Sequence, residues 1–174
     1  MKTIAILLFT LIVSQSVNAQ QTCQDYIPDE WPDSRYTVED VSGDNVVTDN
    51  ETGLMWKQCS EGLSGTDCTT GAGTTHNWQQ ALELAEMQNT TGFAGYFDWR
   101  VPNQKELRTI VARNCFSPSI NAIVFPKTRD LFLSSSPIAG TSISVWIVGF
   151  DGGFDGYGSR YLNYRVRLVR SLGQ

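Results

Sequence analysis

The apolar positions change their period several times along the chain, and each change marks an element. Val46-Val47-Thr48 and Leu54-Met55-Trp56 are short runs of branched and aromatic residues, parted by the turn-prone Asp49-Asn50-Glu51-Thr52-Gly53. That arrangement predicts a β-hairpin. From Trp78 onward, Ala81, Leu82, Ala85 and Met87 follow helical spacing with Glu83 and Glu86 turned outward, which predicts a first helix with Thr75 as its N-cap. Asn103 stands three residues before Glu106, the spacing of a capping box, and Leu107, Ile110 and Val111 then line one face of a second helix up to Arg113. Beyond Cys115 the pattern becomes β-like in Leu131 to Leu133, Val145 to Phe150 and Tyr161 to Val169. The last run alternates, with Leu162, Tyr164, Val166 and Leu168 on a core face and Tyr161, Asn163, Arg165 and Arg167 on a wet one. Between the last two runs, the five glycines of the stretch from Gly149 to Gly158 predict a mobile or tightly turned loop. A hairpin, two helices and late strands in that order make an α+β domain.

The start of the chain reads differently. Lys2, the apolar run Ile4 to Val13 and the small-residue site Val17-Asn18-Ala19 form a secretory signal, residues 1–19, cleaved near Ala19. The apolar run is about half of the ~20 residues a spanning helix needs, and no second one follows, so the mature chain is expected to lack a membrane span. Its destination is the periplasm or the outside of the cell. Residues 20–36, with Pro28, Pro32 and several acids, read as an irregular leader, and residues 37–174 as one domain.

The net charge of -5 argues against a nucleic-acid binder, and 11% aromatic residues argue against a disordered chain. All four cysteines lie in the mature part, which predicts two disulfides in an exported protein. Of the three pairings, Cys59 with Cys68 closes a local Gly/Ser/Thr-rich excursion and leaves Cys23 to tie the N-terminus to Cys115. A zinc site is disfavoured by the single His and the lack of paired C-x-x-C spacing.

One long series of segments is similar to the Lcl C-terminal domain family, named for the C-terminal domain of bacterial collagen-like adhesins. It runs through Asp49-Asn50-Glu51-Thr52-Gly53-Leu54-Met55-Trp56, Cys59-Ser60-Glu61-Gly62, and Trp78 with Ala81-Leu82. It continues in Asp98-Trp99-Arg100-Val101-Pro102-Asn103, Lys105-Glu106-Leu107, Ser119-Ile120-Asn121, Phe125-Pro126, Ser134-Ser135-Ser136, Trp146 and Val166-Arg167-Leu168-Val169-Arg170. The resemblance implies a C-type-lectin-like fold, in which two helices pack on a small twisted antiparallel sheet and long loops carry binding. It also implies adhesion, since the collagen-like adhesins bind sulfated glycans. No Gly-X-Y segment precedes the domain, so collagen-driven trimerisation does not carry over.

The function expected is therefore an exported, non-enzymatic binding module for a surface or extracellular glycan. The alternatives are a protein-interaction module, such as a piece of a surface assembly or an enzyme inhibitor, and a cysteine-dependent oxidase related to the formylglycine-generating enzymes. Candidate ligand residues are Asp151, Phe154, Asp155, Tyr157, Arg160 and Tyr161 in and after the glycine-rich loop, where aromatic rings can stack on sugars. Arg165 and Arg167, with Arg170 and neighbouring Lys127 and Arg129, form a candidate basic patch for anionic groups. No cofactor is required. Calcium is the one candidate metal, at Asp151 and Asp155, whose spacing matches two positions of an EF-hand loop although the remaining acidic ligands are missing. Trp99, Arg100 and Asn103 read first as core, loop tie and helix cap, and His76 as a solvated or capping residue rather than part of a catalytic triad.

Overall fold

The hairpin expected around Asn50 forms, and a strand the apolar runs had not marked precedes it. The structure, a computed structural model, describes residues 21–173, and the expected export signal lies outside them. In chain order the elements are β1 (Thr22–Cys23), β2 (Tyr36–Val41), β3 (Asp44–Asp49), β4 (Leu54–Lys57), β5 (Leu63–Ser64), β6 (Thr70–Gly71), α1 (Trp78–Thr91) and α2 (Gln104–Thr109). There follow β7 (Cys115–Phe116), β8 (Leu131–Pro137), β9 (Ser144–Gly149), β10 (Phe154–Ser159) and β11 (Val169–Ser171). All strand pairs are antiparallel. They make a four-stranded sheet, β11-β4-β3-β2, a three-stranded sheet, β10-β9-β8, and two small ribbons, β1-β7 and β5-β6. The architecture is α+β with two helices and several small antiparallel sheets.

The four-stranded sheet is covered on both faces. Val47, Leu54, Trp56 and Val169 join Leu107 of α2, Phe125, Phe132 and Val148 in one buried cluster. Val46 and Met55 join Ala81 and Ala85 of α1, Trp99, Leu133, Ile147 and Leu168 in another. Strands covered on both sides read as unbroken apolar runs, as Leu54-Met55-Trp56 does.

Both helices begin where sequence placed them, with one correction at a cap. Asn77, not Thr75, caps α1: its side chain accepts from the Gln80 amide (3.0 Å), and the Gln80 side chain accepts from the Asn77 amide (3.1 Å). Met87 is 56% exposed, because only the Ala81 and Ala85 side of α1 is pressed fully against the sheet. The capping box Asn103–Glu106 forms, but α2 ends at Thr109 rather than Arg113. Val111 and Ala112 are buried beyond it without helical backbone.

The alternating run from Tyr161 is a second correction. It forms strand only from Val169, after isolated bridges from Tyr164 to His76 and from Arg165 to Phe132. The segment runs beside β8 and the end of β4, where the Leu133 amide donates to the Arg165 carbonyl and the Lys57 amide to the Leu168 carbonyl. Protein therefore meets both of its sides. Tyr164, Val166 and Leu168 are buried as expected, but so is Arg167, while Leu162 is 61% exposed.

The disulfides are Cys23–Cys115 and Cys59–Cys68, the expected pairing. The first fastens β1 to β7 and lays residues 21–36 across the domain, where Trp31 enters the core and its Nε1 donates to the Thr109 carbonyl (2.7 Å). Among the described residues no helix is long and apolar enough to cross a membrane.

Candidate functional site

The glycine-rich stretch is a hairpin rather than a loop. β9 and β10 pair over six consecutive positions, from Phe154 opposite Gly149 to Ser159 opposite Ser144, and only Phe150 to Gly153 turn the corner. Gly153 has a φ of +70°, a left-handed conformation that glycine adopts without strain. A side chain at Gly158 would collide with the Tyr164 hydroxyl, so glycine there lets the irregular C-terminal segment lie against the strand.

Strand alternation divides the candidate residues between two faces. Phe154 folds over Gly149 on one side. Asp155, Tyr157 and Ser159 lie on the other, opposite Val148, Trp146 and Ser144. This second face is the one on which α2 is docked: Gln104 Nε2 donates to Asp155 Oδ2 (3.0 Å), and Arg108 forms an ion pair with Asp155 Oδ1. Tyr157, two residues along the same face, is 76% exposed, with the half-buried Trp146 directly across from it. An exposed aromatic residue thus shares one strand face with a carboxylate that a guanidinium and an amide hold, on two elements fixed by a capping box and a regular ladder.

The remaining residues expected at the site are dispersed. Asp151 is exposed at the hairpin corner, and its carbonyl accepts from the Ser117 amide. Tyr161 lies past the end of β10 and is 69% exposed. Arg160 stacks over Trp78 at 4.5 Å and donates to the Ser142 carbonyl. The Asp155 carboxylate is already matched by Arg108 and Gln104, and among the described residues no three His, Cys, Asp or Glu side chains gather where they could hold a metal ion.

The basic patch needs correction. Arg167 has no exposed surface and cannot meet a ligand: it donates to the carbonyls of Lys57 and Gln58 and to Thr128 Oγ1, between the rings of Phe125 and Phe132. Burial pulls its pKa down to about 9, opposed by the charge of Glu61, so it remains a cation at neutral pH. Arg170 is buried too, bonded to Asp98 (2.6 Å) and stacked on Tyr96. Of the two arginines in the alternating run, Arg165 is the one that reaches an open surface. It pairs with Asp130 (3.2 Å) and lines a cleft of about 390 Å³ with Lys127 and Arg129.

Residues 45–170 match the family model of the Lcl C-terminal domain. The chain belongs to the Lcl C-terminal domain family. No curated protein matches it. The match takes in β4, both helices and the β9–β10 hairpin, and leaves out the segment 21–36. Within this Lcl C-terminal domain, the Asp98-Trp99-Arg100 segment is structural. Trp99 is buried against the edges of Phe93 and Tyr96, and Arg100 grips Glu106 with two hydrogen bonds of 2.8 and 2.7 Å. Burial alone would raise the Glu106 pKa, but Arg100 and the Asn103 amide outweigh it and hold the carboxyl below its usual range. Sequence reading missed Gln104, Arg108 and Trp146 as surface partners. Gln104 and Arg108 are four apart on one polar helix side, the only signal that marks them in advance.

Proposed function

We propose that this Lcl C-terminal domain is an exported, non-enzymatic module that binds carbohydrate and serves adhesion, on a C-type-lectin-like fold. The observation that carries the reading is the exposed Tyr157 beside the Asp155–Arg108–Gln104 network. An exposed ring that the core does not need favours a ligand with an apolar face, and fixed planar polar groups beside it favour hydroxyls. Two disulfides support an oxidising destination, outside the cytoplasm. They also count against the oxidase, because both pairs leave no free thiolate to act. The reading assigns no required role to a metal.

The test is a glycan array of neutral and sulfated polysaccharides, probed with the oxidised protein with calcium and with chelator, then with Tyr157→Ala and Gln104→Ala. Binding that survives chelator and is lost in both variants, at unchanged melting temperature, is the expected result. Binding that both variants retain overturns this placement of the site, and binding lost in Arg165→Ala instead moves it to the cleft of Lys127 and Arg129. An array with no binding at all overturns the carbohydrate reading. The second reading, a protein partner, is favoured by β10, which forms one edge of its sheet with neither a proline nor a lysine to block an added strand.

A further inference from the structure

The two outer strands of the three-stranded sheet end differently. Along β8 the irregular C-terminal segment closes the edge: the Leu133 amide donates to the Arg165 carbonyl (2.9 Å), and the Arg165 amide to the Leu131 carbonyl (3.0 Å). Along β10 no such segment pairs among the described residues. Two bonds fix which way the β10 backbone points. The Phe150 amide donates to the Asp130 carbonyl on the β8 side, so Gly149, one residue earlier, turns toward β10, and the Arg160 amide donates to the Ile143 carbonyl at the other end of the hairpin. Antiparallel alternation between these anchors bonds Phe154, Gly156 and Gly158 inward to β9 and turns the backbone of Asp155, Tyr157 and Ser159 outward. Outside the β9 ladder, no hydrogen bond among the described residues takes the amides or carbonyls of Asp155 and Tyr157.

Such an edge is a template for a further strand. The outer strand of the other sheet, β2, guards its edge with Glu39 and Asp40 at exposed positions. The one charge of β10, Asp155, is matched by Arg108. The outward series is also complementary to itself. On a two-fold axis through Tyr157, Asp155 stands opposite Ser159 of a second copy, Tyr157 opposite Tyr157, and Gly156 opposite Gly158. The Ser159 hydroxyl accepts from the Tyr161 amide (3.3 Å) and keeps its own proton to donate to the facing carboxylate. The two Asp155 carboxylates lie four positions apart along the strands, about 14 Å, rather than face to face. The two exposed Tyr157 rings stand side by side as a cross-strand aromatic pair, and the glycines on the opposite face bring no side chain to clash.

We propose that two copies of this chain pair β10 to β10 about that axis, joining their three-stranded sheets into one sheet of six strands. Because the segment around Arg165 closes the β8 edge, growth stops at two copies, a closed and isologous dimer. The inference rests on the open edge that favours a protein partner and names that partner as a second copy. It does not depend on the carbohydrate reading.

The full oxidised chain is sedimented over a range of concentrations, and amide hydrogen exchange is followed at the lowest and the highest. The expected result is a monomer–dimer equilibrium, with the Asp155, Tyr157 and Ser159 amides protected only where the dimer forms. Since the axis sets residue 157 against itself, Tyr157→Lys and Tyr157→Glu should each weaken dimerisation about tenfold, and an equimolar mixture of the two should recover it. Ser159→Pro removes an outward donor, keeps the Tyr157 ring, and should also favour the monomer. A dimer that both Tyr157 variants form undiminished, or a loss that their mixture does not repair, overturns the proposal. So does a chain that is monomeric at every concentration. If the three amides of that monomer exchange freely, the edge is open and the protein-partner reading stands without this one; if they are protected in the monomer, both readings fall.

Discussion

The C-terminal run from Tyr157 to Arg170 and the N-terminal segment 21–36 carry opposite charges and use them in opposite ways. In the first, Arg167 and Arg170 are drawn inside, where the two terminal nitrogens of Arg167 meet carbonyls and a hydroxyl and Arg170 Nε meets Asp98. In the second, Asp25, Asp29 and Asp33 stay at the surface around an open cleft. Side-chain reach explains the contrast. Arginine has a long apolar stem and five donors, so an irregular segment full of unpaired carbonyls can bury it. Aspartate is short and only accepts, so it goes inside where donors converge, as Arg35 and Thr52 do on Asp49. The sign of a charge run therefore says little about where a ligand would meet it.

The sharpest way to break the comparison is to release one side of it. Cys23→Ser with Cys115→Ser opens a loop spanning a separation of 92 residues, and should lower the unfolding free energy by about 4 kcal/mol in a urea titration. It should also loosen the acidic wall and expose Trp31, read as a red shift of tryptophan emission. Next is Arg167→Met, which keeps the volume but strands two carbonyls and takes a donor from the Thr128 hydroxyl, for a loss of about 3 kcal/mol. A surface ligand residue would change stability by no more than about 0.5 kcal/mol, so the same titration decides where this arginine sits.

An interior acid sharpens the contrast further. Burial by itself would raise the Asp49 pKa, but the hydrogen bonds from Arg35 and Thr52 outweigh it and hold the carboxyl below its usual value. The folded state thus binds this proton less readily than the unfolded one. The stability it supplies is present above about pH 4 and is lost as pH falls through the lower folded value. Melting temperatures taken from pH 5 to pH 2 should fall less steeply in Asp49→Asn than in the parent. The smallest effect belongs to Tyr157→Ala, expected to alter stability by less than about 0.5 kcal/mol because the ring touches solvent on most of its surface.

Local signals were legible wherever the structure is local. The Asn50 turn, the Asn103 capping box and the closing of Cys59 on Cys68 each involve neighbours in sequence, and each forms. The capping of α1 was misplaced by two residues because Thr75 and Asn77 are both good caps, and only the reciprocal bond from Gln80 decides between them. The alternation after Tyr161 holds for Tyr164, Val166 and Leu168 inside and for Tyr161 and Asn163 outside, and fails at Leu162, which is exposed, and at Arg167, which is buried. Period two reports which side a residue faces, and from Val166 to Leu168 both sides face protein, so Arg167 on the supposed wet side is buried. The Tyr157 face needed two distant elements, α2 and β10, to meet, and nothing in either segment announces the other. The acidic cleft needed a disulfide and a leader whose composition suggested only irregular chain.

The position of β11 bears on when this protein can fold. β4 lies inside its sheet only because Val169 to Ser171 come to pair with Trp56 to Leu54, over a hundred positions later in the chain. Until those three residues have emerged, Trp56 has no cover on that flank and the sheet has no fourth strand. A nascent chain is thus kept from completing its core until Ser171 has emerged, and closure by so distant a pairing is slow compared with local helix formation.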